Sequence, residues 1–410
     1  MREERFNGIA SARRDTSIEE NLRIFKDEMT HATDVGVKYC LRAKISIDSL
    51  NKALRDPVIY RCNPQPHHRT GAKWRLYPTY DFTCPIVDSL EGVTHALRTI
   101  EYRDRNDQYQ WMLEALGLRK VHVWDFSRLN FIKTLLSKRK LHWFVDQGLV
   151  WGWNDPRFPT IRGIRRRGMT TEALRQFILA QGPSKNVVNL DWTIIWATNK
   201  KVIDPISPRH TAIWEKDLVT AHISGLSTDS KTSEDKPRHP KNPALGSKSV
   251  YFGSTILLDQ ADAATFSPGE EITLMNWGNA IVTDITRQGD PTSTGPVLTV
   301  QLSLNLQGDF KKTEKKITWL EATAQRTCPA ELVDFDYLIT KDKLEEDDNV
   351  ADFVNPHTEF RALAKADEGV WTLKEGDIIQ FERKGYYRLD KPATDSSPAV
   401  FFCIPTGKEK

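Results

Sequence analysis

The chain of 410 residues is long enough for two to four domains with hydrophobic cores of their own. Its 58 Lys and Arg against 55 Asp and Glu leave a net charge of +3, so the overall charge gives no indication of nucleic-acid binding. Five widely spaced cysteines without a C-x-x-C pair argue against a disulfide framework and a metal site, and the lack of an apolar run of about 18 residues or of a signal-peptide core predicts a cytoplasmic protein with no membrane segment.

The front half of the chain has the pattern of an α/β region. A helix is predicted to begin at Ser17, where an S-x-x-E capping box precedes apolar residues at helical spacing. Strand-like and helix-like segments alternate between residues 74 and 143, which is typical of an α/β layer. Another helix is predicted from about Thr170, and Gly182 suits its C-terminal cap.

The back half of the chain has a different pattern. After about Val202, short runs of β-forming residues are separated by turns rich in Gly, Asp, Pro and Asn. The polar segment at residues 227–249 is interpreted as a long surface connection. The length and spacing of the runs favour β-barrels or a sandwich, so we predict an all-β back half.

Residues 77–102, YPTYDFTCPIVDSLEGVTHALRTIEY, allow two interpretations. One amphipathic helix would place Asp88, His95 and Arg98 on one side and apolar residues on the other. Alternatively, a helix stops near Gly92 and a strand follows, because VTHALRTIEY has β-forming character. Both interpretations bring a Tyr, an Arg and a Glu close to an apolar wall, and a polar surface stripe without a function is the alternative.

Two segments concentrate positive charge. Seven Lys and Arg stand against one acid in residues 119–140, and six Arg stand against one acid in residues 157–175. The first segment contains TLLSKRKLHWFV, which places Ser-Lys-Arg-Lys between apolar stretches. Such a run is either a solvated face or a basic loop that binds phosphates, and this local density suits a polyanionic partner such as RNA.

Several motifs together resemble a known enzyme family. YPTYDFTCPIVDSLEGVTHALRTIEY is followed by VHVWDFSRLNFIKTLLSKRKL and then by WNDPRFPTIRGIRRRGMT. They are preceded by LRAKISIDSLNKALRDPVIYR and HHRTGAKWRLYP, and they are followed by HPKNPALGSK, MNWGNAIV and FERKGYYRLDKP. In this order the motifs are similar to those of the class I glutamyl- and glutaminyl-tRNA synthetases of the eukaryotic cytosolic and archaeal branch. The resemblance covers nearly the whole chain.

The resemblance implies a multidomain protein of α/β plus all-β class. Residues 1–72 would be part of the acceptor-stem-binding insertion, and residues 73–150 the second half of a Rossmann-type catalytic domain. Residues 151–201 would be a helical region that contacts the tRNA stem. Residues 202–410 would form two anticodon-binding β-barrels, with the distal barrel, at about 245–328, nested within the proximal one.

The resemblance also implies an ATP site. Leu135–Arg139, LLSKR, stands where the family has its KMSKS loop, which holds the triphosphate of ATP, and Ser137 and Lys138 are the predicted catalytic residues. Nucleotidyl transfer needs positioning and cations aimed at developing charge, and it needs no protein nucleophile. Mg²⁺ is expected with ATP, without a metal site of its own on the protein. The predicted ATP-binding residues are Glu101, Leu136, Ser137, Lys138, Arg139 and Lys140.

Two residues carry the predicted amino-acid specificity. Tyr80 resembles the family's tyrosine that contacts the amino acid, and Arg98 stands where glutamyl enzymes of this branch have Arg and glutaminyl enzymes have a small residue. A guanidinium pairs with a γ-carboxylate through two charge-assisted hydrogen bonds, which a neutral carboxamide cannot match. We therefore predict L-glutamate as the substrate, with glutamine as the alternative. Cys84 is predicted to be a wall residue only.

The predicted RNA partner is tRNA(Glu). Arg165, Arg166 and Arg167 are candidates for phosphate contacts, which position an RNA without reading its bases. Packing or solvent exposure is an equal alternative for each of them. Trp277 is a candidate for contact with an anticodon base, against the alternative of a buried barrel tryptophan.

The family's His-Ile-Gly-His signature does not occur in the chain. We therefore expect the C-terminal portion of a longer enzyme, with the adenine-binding half of the active site outside this sequence. A domain that recruits a multi-synthetase complex or a tRNA-binding cofactor would also lie outside it. The expected reaction of the whole enzyme is ATP-dependent activation of glutamate and its transfer to tRNA, and a tRNA-binding fragment without catalysis is the alternative.

Overall fold

The computed structural model describes residues 2–226, 231–289 and 295–408. The chain divides into two compact units. The first unit comprises Met1–Leu129 and Pro183–Val188, and the second comprises Asn130–Gly182 and Asn189–Lys410.

The first unit begins with short helices and a small antiparallel sheet. The predicted N-terminal helix starts directly after Ser17, whose hydroxyl accepts a hydrogen bond from the backbone N–H of Glu20 at 3.3 Å. The helix continues as a π-helix to the buried Met29. The two α-helices of this region are α1 (Arg2–Asn7) and α2 (Ile18–Arg23). The sheet has the strand order β1 (Cys40–Arg42), β2 (Val58–Cys62) and β3 (Leu76–Pro78).

Residues 77–102 contain a helix and then a strand, which confirms the second of the two interpretations. α3 (Tyr80–Leu90) ends before Gly92, whose φ of 79° suits glycine, and β4 (His95–Thr99) follows. α4 (Asn106–Ala115) then leads to β5 (His122–Phe126), which pairs in parallel with β4. The core of this α/β layer is formed by buried Ala96, Tyr109, Leu113 and Val121.

The second unit begins with a mainly helical region. The predicted helix after Thr170 is confirmed. The Thr170 hydroxyl accepts a hydrogen bond from the backbone N–H of Ala173 at the start of the helix, and Gly182, with a φ of 67°, ends it. The helices are α5 (Lys138–Asp146), α6 (Ile161–Arg166), α7 (Thr171–Gln181) and α8 (Trp192–Ile203). Two short strands, β6 (Leu129–Phe131) and β7 (Val188–Leu190), lie where the chain passes from one unit to the other.

The back half of the chain is rich in strands, as predicted. In chain order they are β8 (Arg209–His210), β9 (Ala212–Trp214), β10 (Val219–Ser224), β11 (Ser233–Pro237), β12 (Ser247–Tyr251), β13 (Thr255–Leu258), β14 (Glu271–Leu274), β15 (Gly278–Arg287), β16 (Val297–Asn305), β17 (Lys316–Ile317), β18 (Trp319–Glu321), β19 (Thr327–Phe335), β20 (Glu359–Asp367), β21 (Ile378–Phe381), β22 (Gly385–Lys391) and β23 (Ala399–Ile404). A short helix, α9 (Gln260–Ala263), follows β13.

Most of these strands form two seven-stranded sheets. The middle sheet has the order β17-β14-β15-β16-β10-β13-β18, and the C-terminal sheet has the order β8-β21-β22-β23-β19-β20-β9. Each sheet has its own apolar core, because alternate residues of its strands point inward. Val219, Ala221 and Ile223 do so along β10 of the middle sheet, while Phe381 and Phe401 are central to the core of the C-terminal sheet.

Residues 227–249 differ in part from the predicted surface connection. β11 and β12 pair as an antiparallel two-stranded ribbon, in which Ser233 lies opposite Tyr251. The segment is poor in apolar residues, so no alternating pattern indicated that it would pair. Residues 227–230, which belong to the same prediction, lie outside the described part of the chain.

None of the helices in the described ranges combines the length and the apolar character needed to span a lipid bilayer. Over the same ranges, His, Cys, Asp and Glu side chains do not come together in groups of three or more that could hold a metal ion.

Candidate active site and RNA-binding surface

Arg98 lies in a cluster of tyrosine rings in the first unit. Its guanidinium carbon is 5.0 Å from the ring centre of Tyr102, 5.6 Å from that of Tyr109 and 5.7 Å from that of Tyr80. Tyr80 is the first residue of α3, Arg98 belongs to β4 and Tyr109 belongs to α4, so three elements build the cluster. Cation–π contacts hold a guanidinium in place without neutralising its charge.

The nearby carboxylate of Asp88 already has partners. The hydroxyl of Tyr109 donates a hydrogen bond to Asp88 at 2.9 Å, and the thiol of Cys84 lies 3.5 Å from the same oxygen. Burial, followed by this hydrogen bond, raises the pKa of Tyr109, which therefore remains a neutral donor. Among the described residues, no carboxylate forms an ion pair with Arg98. The half-buried guanidinium is thus available to an anionic ligand.

Glu101 lies just after β4, at the carboxyl end of the parallel strand pair. Its carboxylate is 3.6 Å from Nε of Arg128, and both side chains are largely exposed. Hydrogen bonds from the Thr99 side chain and from the backbone, with a smaller contribution from Arg128, lower the pKa of Glu101. Open α/β sheets bind ligands at this edge. Arg128 is a further cation at the edge, and no pattern singled it out because its proximity to Glu101 depends on the pairing of β4 with β5.

Asp125 is another candidate that the sequence patterns missed. It lies beside Arg98 in the register of β4 and β5, and it is buried. One carboxylate oxygen accepts a hydrogen bond from the amide of Asn106 at 2.8 Å, while the other is buried without a partner in the described part of the chain. Burying a half-satisfied carboxylate is costly. The strand register places Asp125 next to Arg98, and an isolated Asp within an apolar strand is the signal that could have identified it.

Ser137–Lys140 forms the start of α5 in the second unit. Leu136, Ser137, Lys138 and Arg139 are exposed, and the helix begins at Lys138. Neither Arg139 nor its two lysine neighbours form an ion pair with an acid within the described ranges. Cations in a first helical turn oppose the helix dipole, which costs about 0.3–1 kcal/mol per charge. The same arrangement favours an anion, because helix N–H groups and side-chain cations both attract it.

The residues just before α5 are anchored by other parts of the second unit. Leu135 is buried in a cluster with Phe144 of α5 and Leu338, which follows β19. The indole N–H of Trp192 donates a hydrogen bond to the hydroxyl of Thr134 at 2.8 Å. A cleft of about 650 Å³ lies beside this anchored segment. The basic turn, Ser137–Lys140, therefore follows residues that are held in place by packing and a hydrogen bond, while Lys138 and Arg139 of the turn are exposed.

The three consecutive arginines have different environments. Arg166 makes two hydrogen bonds with Asp390, of 2.7 and 2.8 Å. Arg167 donates a hydrogen bond to the backbone carbonyl of Phe335 at 2.7 Å, and its guanidinium lies over the ring of the same residue. Arg165, by contrast, is exposed. Arg166 and Arg167 are therefore used within the protein, and Arg165 is the member of the three that is presented to solvent.

Trp277 packs against the core of the middle sheet. Its ring centre is 4.8 Å from that of Trp319 and 4.9 Å from that of Phe252. The indole is partly buried against that core. These contacts favour the packing interpretation of Trp277 over a role in contacting a base.

Three domain families match the chain in succession. Residues 1–205 match the catalytic domain of the class I tRNA synthetases (E and Q), residues 207–302 match an anticodon-binding domain of the same group, and residues 316–390 match a second anticodon-binding domain of that group. The first match covers half of the chain. The two later matches lie mainly on strands of the middle sheet and of the C-terminal sheet, respectively.

Similar proteins align along the whole of this chain. It is 62% identical to the probable cytoplasmic glutamate–tRNA ligase of Schizosaccharomyces pombe and 60% identical to the cytoplasmic glutamate–tRNA ligase of Saccharomyces cerevisiae, covering 56% of each relative. It is 47% identical to the bifunctional glutamate/proline–tRNA ligase of Mus musculus, covering 27% of that protein. The chain thus spans about half the length of the two yeast relatives. It belongs to the class I tRNA synthetases of the glutamate and glutamine group, with a catalytic domain followed by two anticodon-binding domains.

Proposed function

We propose that this chain provides the glutamate-recognition and phosphate-binding residues of a cytoplasmic glutamate–tRNA ligase and binds tRNA(Glu). In the proposed reaction, the α-carboxylate of L-glutamate attacks the α-phosphate of ATP and pyrophosphate leaves. The 2′-hydroxyl of the terminal adenosine of the tRNA then takes the glutamyl group from the adenylate, and AMP leaves. The observation that carries the proposal is the unpaired guanidinium of Arg98 within its tyrosine cluster. The names of the two yeast relatives support it.

Arg98 is proposed to select glutamate by its charge. A γ-carboxylate that enters the cluster can accept two parallel hydrogen bonds from the guanidinium, and both bonds are charge-assisted. Glutamine would direct one of its N–H groups toward the N–H donors of Arg98, so the cation would remain poorly paired. This argument places glutamine second as a candidate substrate. Tyr80, which is exposed at the start of α3, is proposed to contact the amino acid.

The basic turn at the start of α5 is proposed to bind the phosphates of ATP. Lys138 would stabilise the charge that develops on the departing pyrophosphate, while Ser137 and the free N–H groups of the first helical turn would donate hydrogen bonds to phosphate oxygens. Mg²⁺ is proposed to enter bound to the phosphates, which supply the oxygen ligands that it prefers. Further proposed nucleotide contacts are Leu136, Arg139, Lys140 and, at the adenosine part, Glu101.

The finer domain organisation is also a proposal. We infer that residues 1–72 bind the acceptor stem, that residues 73–150 belong to a Rossmann-type half-domain and that residues 151–201 contact the tRNA stem, with Arg165 as a phosphate contact. The two sheets are proposed to be anticodon-binding β-barrels, with the distal one, at about 245–328, nested in the proximal one. The strand order supports nesting, because the C-terminal sheet takes β8 and β9 from before the middle sheet and its other strands from after it.

A chimera tests the proposed reaction. In it, this chain replaces its matching portion of the S. pombe relative, and ATP–pyrophosphate exchange is measured with glutamate or glutamine in the presence of tRNA(Glu). We expect exchange that depends on glutamate and is weak with glutamine. Exchange that prefers glutamine would contradict the assignment of Arg98, and a folded chimera that is inactive with both amino acids would contradict the proposed reaction.

A second candidate function is tRNA binding without catalysis by this chain alone. The observation that favours it is the coverage of only about half of each yeast relative. The same exchange assay on the 410-residue chain by itself decides the question. If the chain binds tRNA(Glu) but supports no exchange, binding is its own activity and catalysis requires the remainder of an enzyme. Partners such as a multi-synthetase complex are proposed for that remainder.

A further inference from the structure

One charged turn of the C-terminal sheet contacts the segment that follows β13 of the middle sheet and also contacts the β11–β12 ribbon. This charged turn consists of Glu382, Arg383 and Lys384, which connect β21 to β22. Each of the three side chains forms an ion pair with an oppositely charged residue elsewhere in the second unit. The partners are Lys248 of β12 for Glu382, Asp262 of α9 for Arg383 and Asp259, just before α9, for Lys384.

The pair of Lys384 with Asp259 is buried. Their side chains are only 7% and 9% exposed, and Nζ of Lys384 lies 2.5 Å from a carboxylate oxygen of Asp259. The other oxygen of Asp259 accepts a hydrogen bond from the backbone N–H of Trp214 at 2.8 Å, and Nζ of Lys384 lies 4.6 Å from the centre of the Trp214 ring. Asp259 follows the middle-sheet strand β13, so this single carboxylate binds two separate parts of the C-terminal sheet.

The pair of Arg383 with Asp262 has a defined geometry. The two terminal nitrogens of the guanidinium contact the two carboxylate oxygens at 2.5 and 2.7 Å, which is a bidentate arrangement. Arg383 itself has a φ of 63°, in the left-handed region that residues with side chains rarely occupy. The turn therefore adopts an unfavourable backbone conformation in which this side chain reaches α9.

These pairs are a poor means of stabilising the fold in general. Burying an ion pair removes both charges from water, and apolar residues of similar size are often as stabilising. An ion pair does, however, specify one relative arrangement of the elements that carry it. The pairs of Arg383 and Lys384 connect the C-terminal sheet to the segment after β13 of the middle sheet, and the pair of Glu382 connects it to the β11–β12 ribbon. Two directional pairs from successive residues define the position of one sheet relative to the other more narrowly than apolar packing does.

We propose that the charged turn sets the orientation of the two anticodon-binding sheets and that tRNA affinity depends on this orientation. The proposal rests on the proposed function, because an RNA that contacts both sheets can use all of its contacts only when their relative position is correct. Arg383, Lys384 and their partners are positioning residues in this proposal, and none of them needs to contact the RNA.

The test exchanges the charges of the more exposed pair. Arg383→Asp, Asp262→Arg and the double exchange are made in this chain, and binding of a tRNA(Glu) transcript is measured by fluorescence anisotropy at one fixed salt concentration. Thermal unfolding establishes that each variant is folded. We expect each single variant to bind about tenfold more weakly and the double variant to recover to within about threefold of the unmodified chain.

A matched control distinguishes positioning from direct attraction of phosphates. Arg361 forms an ion pair with Glu331 within the C-terminal sheet and is 41% exposed, against 42% for Arg383. Arg361→Asp removes the same positive charge and breaks ion pairs only with Glu331 and Glu359 of the C-terminal sheet, so we expect a loss of less than about threefold. Asp262→Arg is the most informative variant, because it adds positive charge and yet is expected to weaken binding.

Two outcomes would overturn the proposal. In the first, Asp262→Arg binds the transcript as tightly as the unmodified chain or more tightly. In the second, the folded double variant remains as weak as Arg383→Asp, which would assign Arg383 to direct RNA contact. If the unmodified chain is folded but does not bind the transcript at all, the proposed tRNA binding itself is wrong. This outcome differs from the two above because it is seen before any variant is measured.

Discussion

The guanidinium of Arg98 lies 5.0 Å from the ring centre of Tyr102, on the same edge of the strand pair as the buried carboxylate of Asp125. The tyrosine rings restrict the arginine before any ligand arrives. Ordering a free arginine side chain on binding costs about 0.5–1.5 kcal/mol. A cation that is already held in place avoids most of this cost, so the cluster is organised in advance for an anionic group.

Replacement of Arg98 should remove glutamate recognition. In the chimera, we expect Arg98→Cys to lower kcat/KM for glutamate by about 100-fold or more, because two charge-assisted hydrogen bonds are lost. The measurement is glutamate-dependent ATP–pyrophosphate exchange. Arg103→Cys is the control, since Arg103 is also exposed to solvent in the segment after β4 and should leave the rate nearly unchanged. Undiminished use of glutamate by Arg98→Cys would contradict the proposed role.

Replacement of Lys138 should affect catalysis more than folding. We expect Lys138→Ala to lower kcat for exchange by about 10²–10³-fold, the range found when one transition-state contact is removed. The melting temperature of the 410-residue chain should stay constant or rise slightly, since the substitution removes a cation from the positive end of α5. Lys201→Ala, an exposed lysine near the end of α8, is the matched control for loss of charge. A large drop in melting temperature would indicate a structural role for Lys138 instead.

Substitutions of Arg165 and Arg166 should have different effects, the first on RNA binding and the second on the free energy of unfolding. We expect Arg165→Ala to weaken tRNA binding uniformly and to reduce the salt dependence of log K by about one unit of slope. Arg166→Ala should instead lower the free energy of unfolding by about 1.5–3 kcal/mol, because the buried Asp390 loses both hydrogen bonds from Arg166 and keeps only Arg388, 3.7 Å away, as a nearby cation. Chemical denaturation and salt-dependent anisotropy measure the two effects. The prediction is wrong if both variants change the same quantity by the same amount.

Because of Asp367, the free energy of unfolding should depend on pH in the acid range. Burial alone would raise the pKa of Asp367, but the contact with His210 at 2.9 Å, assisted by Lys248 and by the backbone N–H of Thr211, places the pKa below its ordinary value. A carboxyl group with a lowered pKa stabilises the folded state above the unfolded pKa, which is about 4. This contribution disappears as the pH falls through the folded pKa.

The variant Asp367→Asn tests this pH dependence. The difference in free energy of unfolding between the unmodified chain and the variant should be fully present above about pH 5 and should shrink as the pH falls below about 4. Asp347→Asn, at an exposed position, is the control and should show no such trend. A difference that stays constant across this range would show that the carboxylate charge is not responsible.

Local features of the fold could be predicted well from the sequence. The helix starts at Ser17 and Thr170 and the helix end at Gly182 follow from side-chain capping and from the freedom of glycine at positive φ, which act within one helical turn. The β-rich character of the back half also follows from short-range patterns. The two interpretations of residues 77–102 could not be separated in this way, since the apolar spacing fits both a helix and a helix with a strand.

The sequence by itself determined the types of elements, their order, the family and the positively charged segments, because capping, periodicity and motif order depend on residues that are close along the chain. Only the tertiary structure decided which charges are free to act. Arg165 and Arg166 are neighbours in the sequence, yet one is exposed and the other pairs with Asp390, 224 positions away. The position of Asp125 next to Arg98 in adjacent strands and the three ion pairs of the charged turn likewise depend on strand register and packing. The electrostatic free energy of a charged side chain depends on the partners and the solvent that surround it in space. Those partners come from distant positions in the chain, so local sequence patterns do not predict them.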